Sequence, residues 1–158
     1  MSDDPANRGR TDVDDLDLDS AALEVVVEER LPAVIDGLPE VIDRVMAAIR
    51  DRGCGAEDAF EIELALTEAL ANAVKHGCGC DPTKLVELAV ACDHDRGLVI
   101  LVRDPGPGFD PTRVPIPTSG PNLFSFNGRG VFLINRLMDE VRYQRGGSEL
   151  WMVKRPRG

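Results

Sequence analysis

The sequence predicts an α+β fold, a two-layer sandwich in which a mostly antiparallel sheet carries three helices on one face. Three observations predict it. Runs of strand character and runs of helical spacing follow one another as strand, helix, helix, strand, strand, long loop, helix, strand, strand. Short turns join the consecutive strands, which implies antiparallel pairing. The chain has 158 residues, 43% of them apolar, enough for one domain with its own core and too few for two comfortable ones.

Each element has its own justification. The first 21 residues read as a disordered acidic tail, because seven Asp fall in the first twenty and almost nothing there can pack. An acidic arm that docks on a basic partner is the sharper alternative. The folded domain then runs from 22 to 158. "ALEVVVEERLP", Ala22 to Pro32, is β-branched with loose alternation and closes on a proline, a first strand. "GLPEVIDRVMAAIRDRG" spaces Leu38, Val41, Ile42, Val45, Met46 and Ile49 at helical intervals and stops at Gly53. "AEDAFEIELALTEALANAVKHG" is a longer helix, with Asp58 near its start and Gly77 as its expected C-terminal cap. "KLVELAVAC" (Lys84 to Cys92) and "LVILVRD" (Leu98 to Asp104) are strands joined by a turn. Pro105 to Gly130 is rich in Pro and Gly and has no sustained period. A loop of that length within a compact domain is usually functional or disordered. "GVFLINRLMDE" is helical, and "VRYQRG" and "SELWMVKR" are strands about a turn at Gly146 and Gly147.

Composition narrows the function. The net charge of −10 speaks against a nucleic-acid partner, since phosphate contacts need clustered Lys and Arg. No apolar run approaches the ~18 residues of a membrane span, and the start has neither the basic nor the apolar part of a secretory signal. A cytoplasmic protein is the expectation. Its four cysteines, Cys54, Cys78, Cys80 and Cys92, should then be reduced. "HGCGCD" offers one tight C-x-C, where structural zinc sites present two spaced pairs, so it reads as small residues in a tight connection.

The chemistry-bearing residues fall into three groups. On the second long helix Glu68 and Asn72 stand four apart, one turn above the other, away from the side marked by Ile62, Leu66, Ala69, Leu70 and Ala73. By itself such a pair is ordinary helix surface. "RDPGPGFD" ends a strand on Asp104, a fixed acceptor, and sets Gly106 and Gly108 where the backbone can approach a ligand closely. Alone it is a Pro-Gly turn. "NGRGVFLINRLMDE" puts Gly128, Arg129 and Gly130 before a helix, where free N–H groups and the helix dipole favour phosphate.

Taken in order, E-x-x-x-N-A-x-x-H-G, D-x-G-x-G-F and G-R-G before an apolar helix resemble the N, G1 and G2 boxes of the GHKL ATPase superfamily, whose fold is the histidine-kinase-like, or Bergerat, ATP-binding fold. "GRGVFLINRLMDEVRY" and "GSELWMVKR" look most like the anti-sigma factor serine/threonine kinases of bacteria. The likeness runs from about Ala22 to the C-terminus. No P-loop and no protein-kinase motif is present.

The resemblance implies ATP and Mg²⁺ as cofactors. It implies that Asn72 supplies an oxygen to Mg²⁺ and that Glu68 is the base or orienting group for the attacking hydroxyl or water. Asp104 would accept from the adenine amino group, and Gly106 and Gly108 would let the chain pass over the nucleotide. Asp110 to Asn127 would be an ATP lid, and Gly128 to Val131 would offer amides to the phosphates. Arg129 would either neutralise phosphate charge or serve the surface. Ser148 stands where family members often carry Thr near the adenine. The implied partners are a STAS-domain anti-sigma antagonist, phosphorylated on Ser or Thr, and a sigma factor. A homodimer is implied as well, and the sheet face that the helices leave uncovered points the same way. "CGC" is outside the family pattern, and Pro105 and Pro107 remove N–H donors from the adenine loop. Two other functions stay open: a nucleotide-gated switch that holds a partner without phosphorylating it, and, ranked last, the stand-alone catalytic domain of a histidine kinase.

Overall fold

The computed structural model describes residues 23–93, 95–107 and 126–156, with the backbone alone for 126–131. The expected tail, Gly108 and residues 110–125 of the expected lid lie outside the described residues.

Five strands form one antiparallel sheet: β1 Glu24–Pro32, β2 Leu85–Asp93, β3 Gly97–Arg103, β4 Glu140–Gln144 and β5 Glu149–Lys154. Their spatial order is β1-β2-β3-β5-β4. The two hairpins, β2–β3 and β4–β5, are those that the short turns predict. The insertion of β5 between β3 and β4 is set by tertiary packing. Three helices, α1 Leu38–Asp51, α2 Ala59–Asn72 and α3 Phe126–Leu137, complete the α+β sandwich. α2 packs against both α1 and α3 and onto β3, so it is central to the helical layer. That position explains its composition: Ile62, Ala65, Leu66, Ala69 and Leu70 are all buried.

The strands alternate as a half-buried sheet must. Val86, Leu88 and Val90 of β2, Ile100 and Val102 of β3 and Met152 of β5 join the helices in the main core. Val99, Trp151 and Val153 point to the other face and form a second small cluster with Leu23 and Leu101.

Two expectations need correction. Gly77 is no left-handed cap. α2 continues through a π turn, Ala73–Gly77, closed by Cys78 N–H donating to the Ala73 carbonyl at 2.9 Å, and the left-handed residues come later, at Gly79 and Cys80. Asp58 stands at the start of α2, as expected, in its N-cap position but with no side-chain cap bond. α3 begins at Phe126, so Gly128, Arg129 and Gly130 lie in its opening turns rather than in front of it. Glycines in a helix cost about 1 kcal/mol each relative to Ala, and the packing of α3 on α2 through residues such as Ile134 outweighs that.

Candidate functional site

The sheet order brings the ends of β3 and β5 together. Asp104, just past β3, donates its backbone N–H to the Ser148 carbonyl at 2.9 Å, continuing the β3–β5 pairing by one step. The π turn at the end of α2 lies directly over this point. Such turns are rare and recur at functional sites, because the added residue widens the last turn and redirects side chains.

Beneath it is a pocket of about 240 Å³. α2 and its π turn supply Ala69, Asn72, Ala73, His76 and Gly77 to its wall. Val102 and Asp104 come from the end of β3, and Tyr143, Gly147, Ser148 and Leu150 from the second hairpin. Ligand sites usually measure about 300–1,000 Å³, so this one has room for a flat heterocycle but not for a whole nucleotide.

Asp104 is the polar centre. Burial pushes its carboxyl above the usual Asp range, opposed by the Gly106 N–H, which donates to Oδ1 at 2.8 Å. Two glycines make its position possible. A Cβ on Gly77 would lie 2.1 Å from the Asp104 carboxyl carbon, and one on Gly106 would lie 2.3 Å from the Gly77 carbonyl oxygen. Gly77 is thus required by close approach to a carboxylate and not by its own φ.

Asn72 lines the pocket, and its Oδ1 is shielded from solvent with no hydrogen-bond partner among the described residues. Buried acceptors are nearly always satisfied, so this oxygen fits a donor or cation that arrives with a ligand. Glu68, one turn earlier, is 7% exposed and is not part of the pocket wall. The pair that the sequence presents as helix surface is therefore interior on one side and pocket wall on the other. The Ser148 hydroxyl donates to the Arg145 carbonyl at 3.1 Å, leaving its lone pairs for a ligand. Burial, reinforced by Lys75, pulls the His76 imidazole below its ordinary range. Burial pushes the Tyr143 phenol up to about 12.

Asn72, Asp104 and Ser148 thus share one pocket. Gly106 supports it from behind Asp104, and Glu68 sits beside it. Gly128, Arg129, Gly130 and Val131 have helical backbone in α3. His76 lies in the wall, on the stripe of α2 that also carries Glu68 and Asn72, while Tyr143 and Gly77 are wall residues that the sequence reading did not assign to the site. Tyr143 is the only tyrosine of the chain, and the contact of Gly77 is with Asp104, which no neighbouring residue of the sequence signals.

The profile of the histidine kinase-like ATPase domain matches residues 31–154. The chain belongs to this family. As a histidine kinase-like ATPase domain it has its pocket where α2, β3 and the second hairpin converge. Among curated relatives, the serine-protein kinase RsbW of Staphylococcus epidermidis is 29% identical over 136 residues, 81% of this chain and 85% of the relative. The anti-sigma F factor of Priestia megaterium is 29% identical over 104 residues, 62% of this chain and 70% of the relative. The serine-protein kinase RsbW of Bacillus licheniformis is 34% identical over 101 residues, and the chain spans only 61% of its length. No helix among the described residues of this ATPase domain is long and apolar enough to cross a membrane. Nor do those residues contain a group of three or more His, Cys, Asp or Glu able to hold a metal.

Proposed function

We propose that this chain is an anti-sigma factor with serine/threonine protein kinase activity. It transfers the γ-phosphoryl group of ATP to a Ser or Thr of a STAS-type antagonist and sequesters a sigma factor. The observation that carries the reading is the convergence of Asn72, Asp104 and Ser148, from three separate elements, on one base-sized pocket. The names of the relatives, anti-sigma F factor and serine-protein kinase, supply the direction.

In this reading Asp104 accepts from the adenine amino group. A guanine would present a carbonyl oxygen to the carboxylate instead, which selects against it. Tyr143, Val102 and Leu150 cover the ring. The opening turns of α3, Gly128 to Val131, lie toward the phosphates, where backbone N–H groups and the helix dipole favour anions. The solvent-shielded Oδ1 of Asn72 fits Mg²⁺, a hard cation that takes oxygen ligands. When bound, Mg²⁺ draws charge from the triphosphate oxygens. Glu68 accepts the proton of the attacking hydroxyl as the new O–P bond forms, and ADP leaves with the electrons of the broken bond. The protein's contribution is mainly position and charge.

The sheet face away from the helices, with Val99, Leu101 and Trp151, is the surface through which we expect a homodimer to form. The reaction belongs in the cytoplasm, where ATP and sigma factors are found.

Incubation with Mg·ATP and candidate STAS proteins, followed by intact-mass measurement, tests the proposal. One added phosphate on the partner supports the kinase. Nucleotide-dependent partner binding without added phosphate supports a nucleotide-gated switch, a second reading favoured by the placement of Glu68 outside the pocket wall.

A further inference from the structure

Glu149, the first residue of β5, has 0% exposure and no role in the reaction above. Its neighbours Ser148 and Leu150 line the pocket, while Glu149 itself projects from the opposite face of the sheet. Three donors converge on its carboxylate. Trp151 Nε1 donates to Oε1 at 2.6 Å, Arg103 Nε donates to Oε2 at 2.8 Å, and Arg145 Nε lies 3.0 Å from Oε2. A buried carboxylate is costly unless it is satisfied in this way.

Arg145 connects that cluster to the pocket. It opens the turn between β4 and β5 with φ +53°, a left-handed conformation that residues bearing a Cβ rarely adopt. The tight β4–β5 turn imposes this conformation, since Gly146 and Gly147 after it are left-handed too, and the Glu149 carboxylate anchors the Arg145 side chain against the sheet. The Arg145 carbonyl accepts the Ser148 hydroxyl, and the Ser148 carbonyl accepts the Asp104 N–H. Polar contacts, joined through the covalent bonds of Arg145 and Ser148 themselves, thus link Trp151, Glu149, Arg145, Ser148 and the Asp104 backbone across the sheet.

We infer that Glu149 is a positioning residue for the nucleotide site: by pinning Arg145 it fixes the turn that presents Ser148 to the pocket, and it couples pocket occupancy to Trp151 on the far face. The inference rests on the reading of the pocket as an ATP site. The coupling is reciprocal, as any linkage must be. Arg103, the third partner, also donates to Glu87 at 3.1 Å, so a ligand that disturbs this charged face alters nucleotide affinity.

Trp151 is the only tryptophan in the chain, so its emission reports the coupling directly. The full chain is titrated with Mg·ATP while indole emission and heat are followed in parallel. The wild type shows an emission change with the same half-saturation as the calorimetric isotherm. Arg145→Ala alters a half-exposed side chain, so the fold survives. It raises the Kd for ATP about fivefold or more and removes the emission change, and Arg145→Lys, which keeps the charge, restores part of both. Glu149→Gln keeps the acceptor for Trp151 but weakens the hold on Arg145, and it moves the Kd in the same direction. The Arg145 variants decide the matter whatever Glu149→Gln does to folding. Wild-type Kd and wild-type emission change in Arg145→Ala overturn the inference, as does a wild-type emission unmoved by saturating ATP. Absence of any ATP binding by the wild type in calorimetry is a different failure: it removes the ATP reading of the pocket, and the inference with it.

Discussion

Gly77→Ala is a small change with a large expected effect, and the structure supplies its size. The new Cβ would stand 2.1 Å from the Asp104 carboxyl carbon and 2.4 Å from each of its oxygens. Carbon atoms in contact normally sit about 3.5–4.0 Å apart, so the carboxyl group must retreat by more than ~1 Å. Asp104 has a short side chain, and its Oδ1 is held by the Gly106 N–H at 2.8 Å. Either that bond breaks or the π turn lifts away from the sheet. Overpacking of this kind costs about 1–3 kcal/mol, and urea unfolding should show a loss in that range. Binding should suffer more visibly. A hydrogen bond to a charged group contributes about 1.5–3 kcal/mol, and displacing Asp104 from the adenine should therefore raise the Kd for ATP roughly 10- to 150-fold in calorimetry. Gly37→Ala is the control, because a Cβ there meets nothing within 4 Å and the residue has φ −84°. Gly37 caps α1, where Ala is less favourable than Gly, so the change should cost about 0.5–1 kcal/mol of stability yet leave binding normal. Wild-type affinity in Gly77→Ala would refute the placement of Asp104 at the centre of the site.

Asn72→Ala should abolish the Mg²⁺-dependent part of ATP binding and leave the fold intact, since the Oδ1 it removes makes no hydrogen bond within the described protein; equal Kd values for mutant and wild type in Mg²⁺ would take Asn72 out of the site. Glu68→Gln should bind ATP but transfer phosphate ~10²–10⁴-fold more slowly, the usual worth of a positioned base. A near-normal rate in single-turnover assays would show that Glu68 is not the base. Asp104 gives a pH dependence whose sign is fixed by burial, which raises its pKa. The folded state holds that proton more tightly than the unfolded chain, so Asp104 favours folding at low pH and this contribution is lost as pH rises through its folded pKa. ATP affinity has the opposite trend, falling as acid protonates the acceptor, and the fall should begin above the range of an exposed Asp. Calorimetry across the acidic range with wild type and Asp104→Asn would reveal this, and identical pH profiles for the two would contradict it.

The sequence by itself determined the element order, the two hairpins and the family of the chain. Local periodicity, turn residues and motif spacing are properties of short stretches, and each is set by backbone sterics and side-chain pattern. It likewise marked Asn72, Asp104 and Ser148, because their residue types and neighbours carry the resemblance. Other features needed the tertiary structure. α2 looks amphipathic with a polar stripe, yet it packs on both α1 and α3, and Glu68 of that stripe is only 7% exposed. Gly77 reads as a helix cap, but its lack of a Cβ is required by Asp104, a residue 27 positions away in the chain. The left-handed Arg145 and the buried Glu149 that holds it belong to the same class. Only the insertion of β5 beside β3 brings Arg103 opposite Glu149 and Asp104 beside Ser148. Strand order depends on which apolar faces can be buried together across the whole chain, and no local pattern encodes that choice.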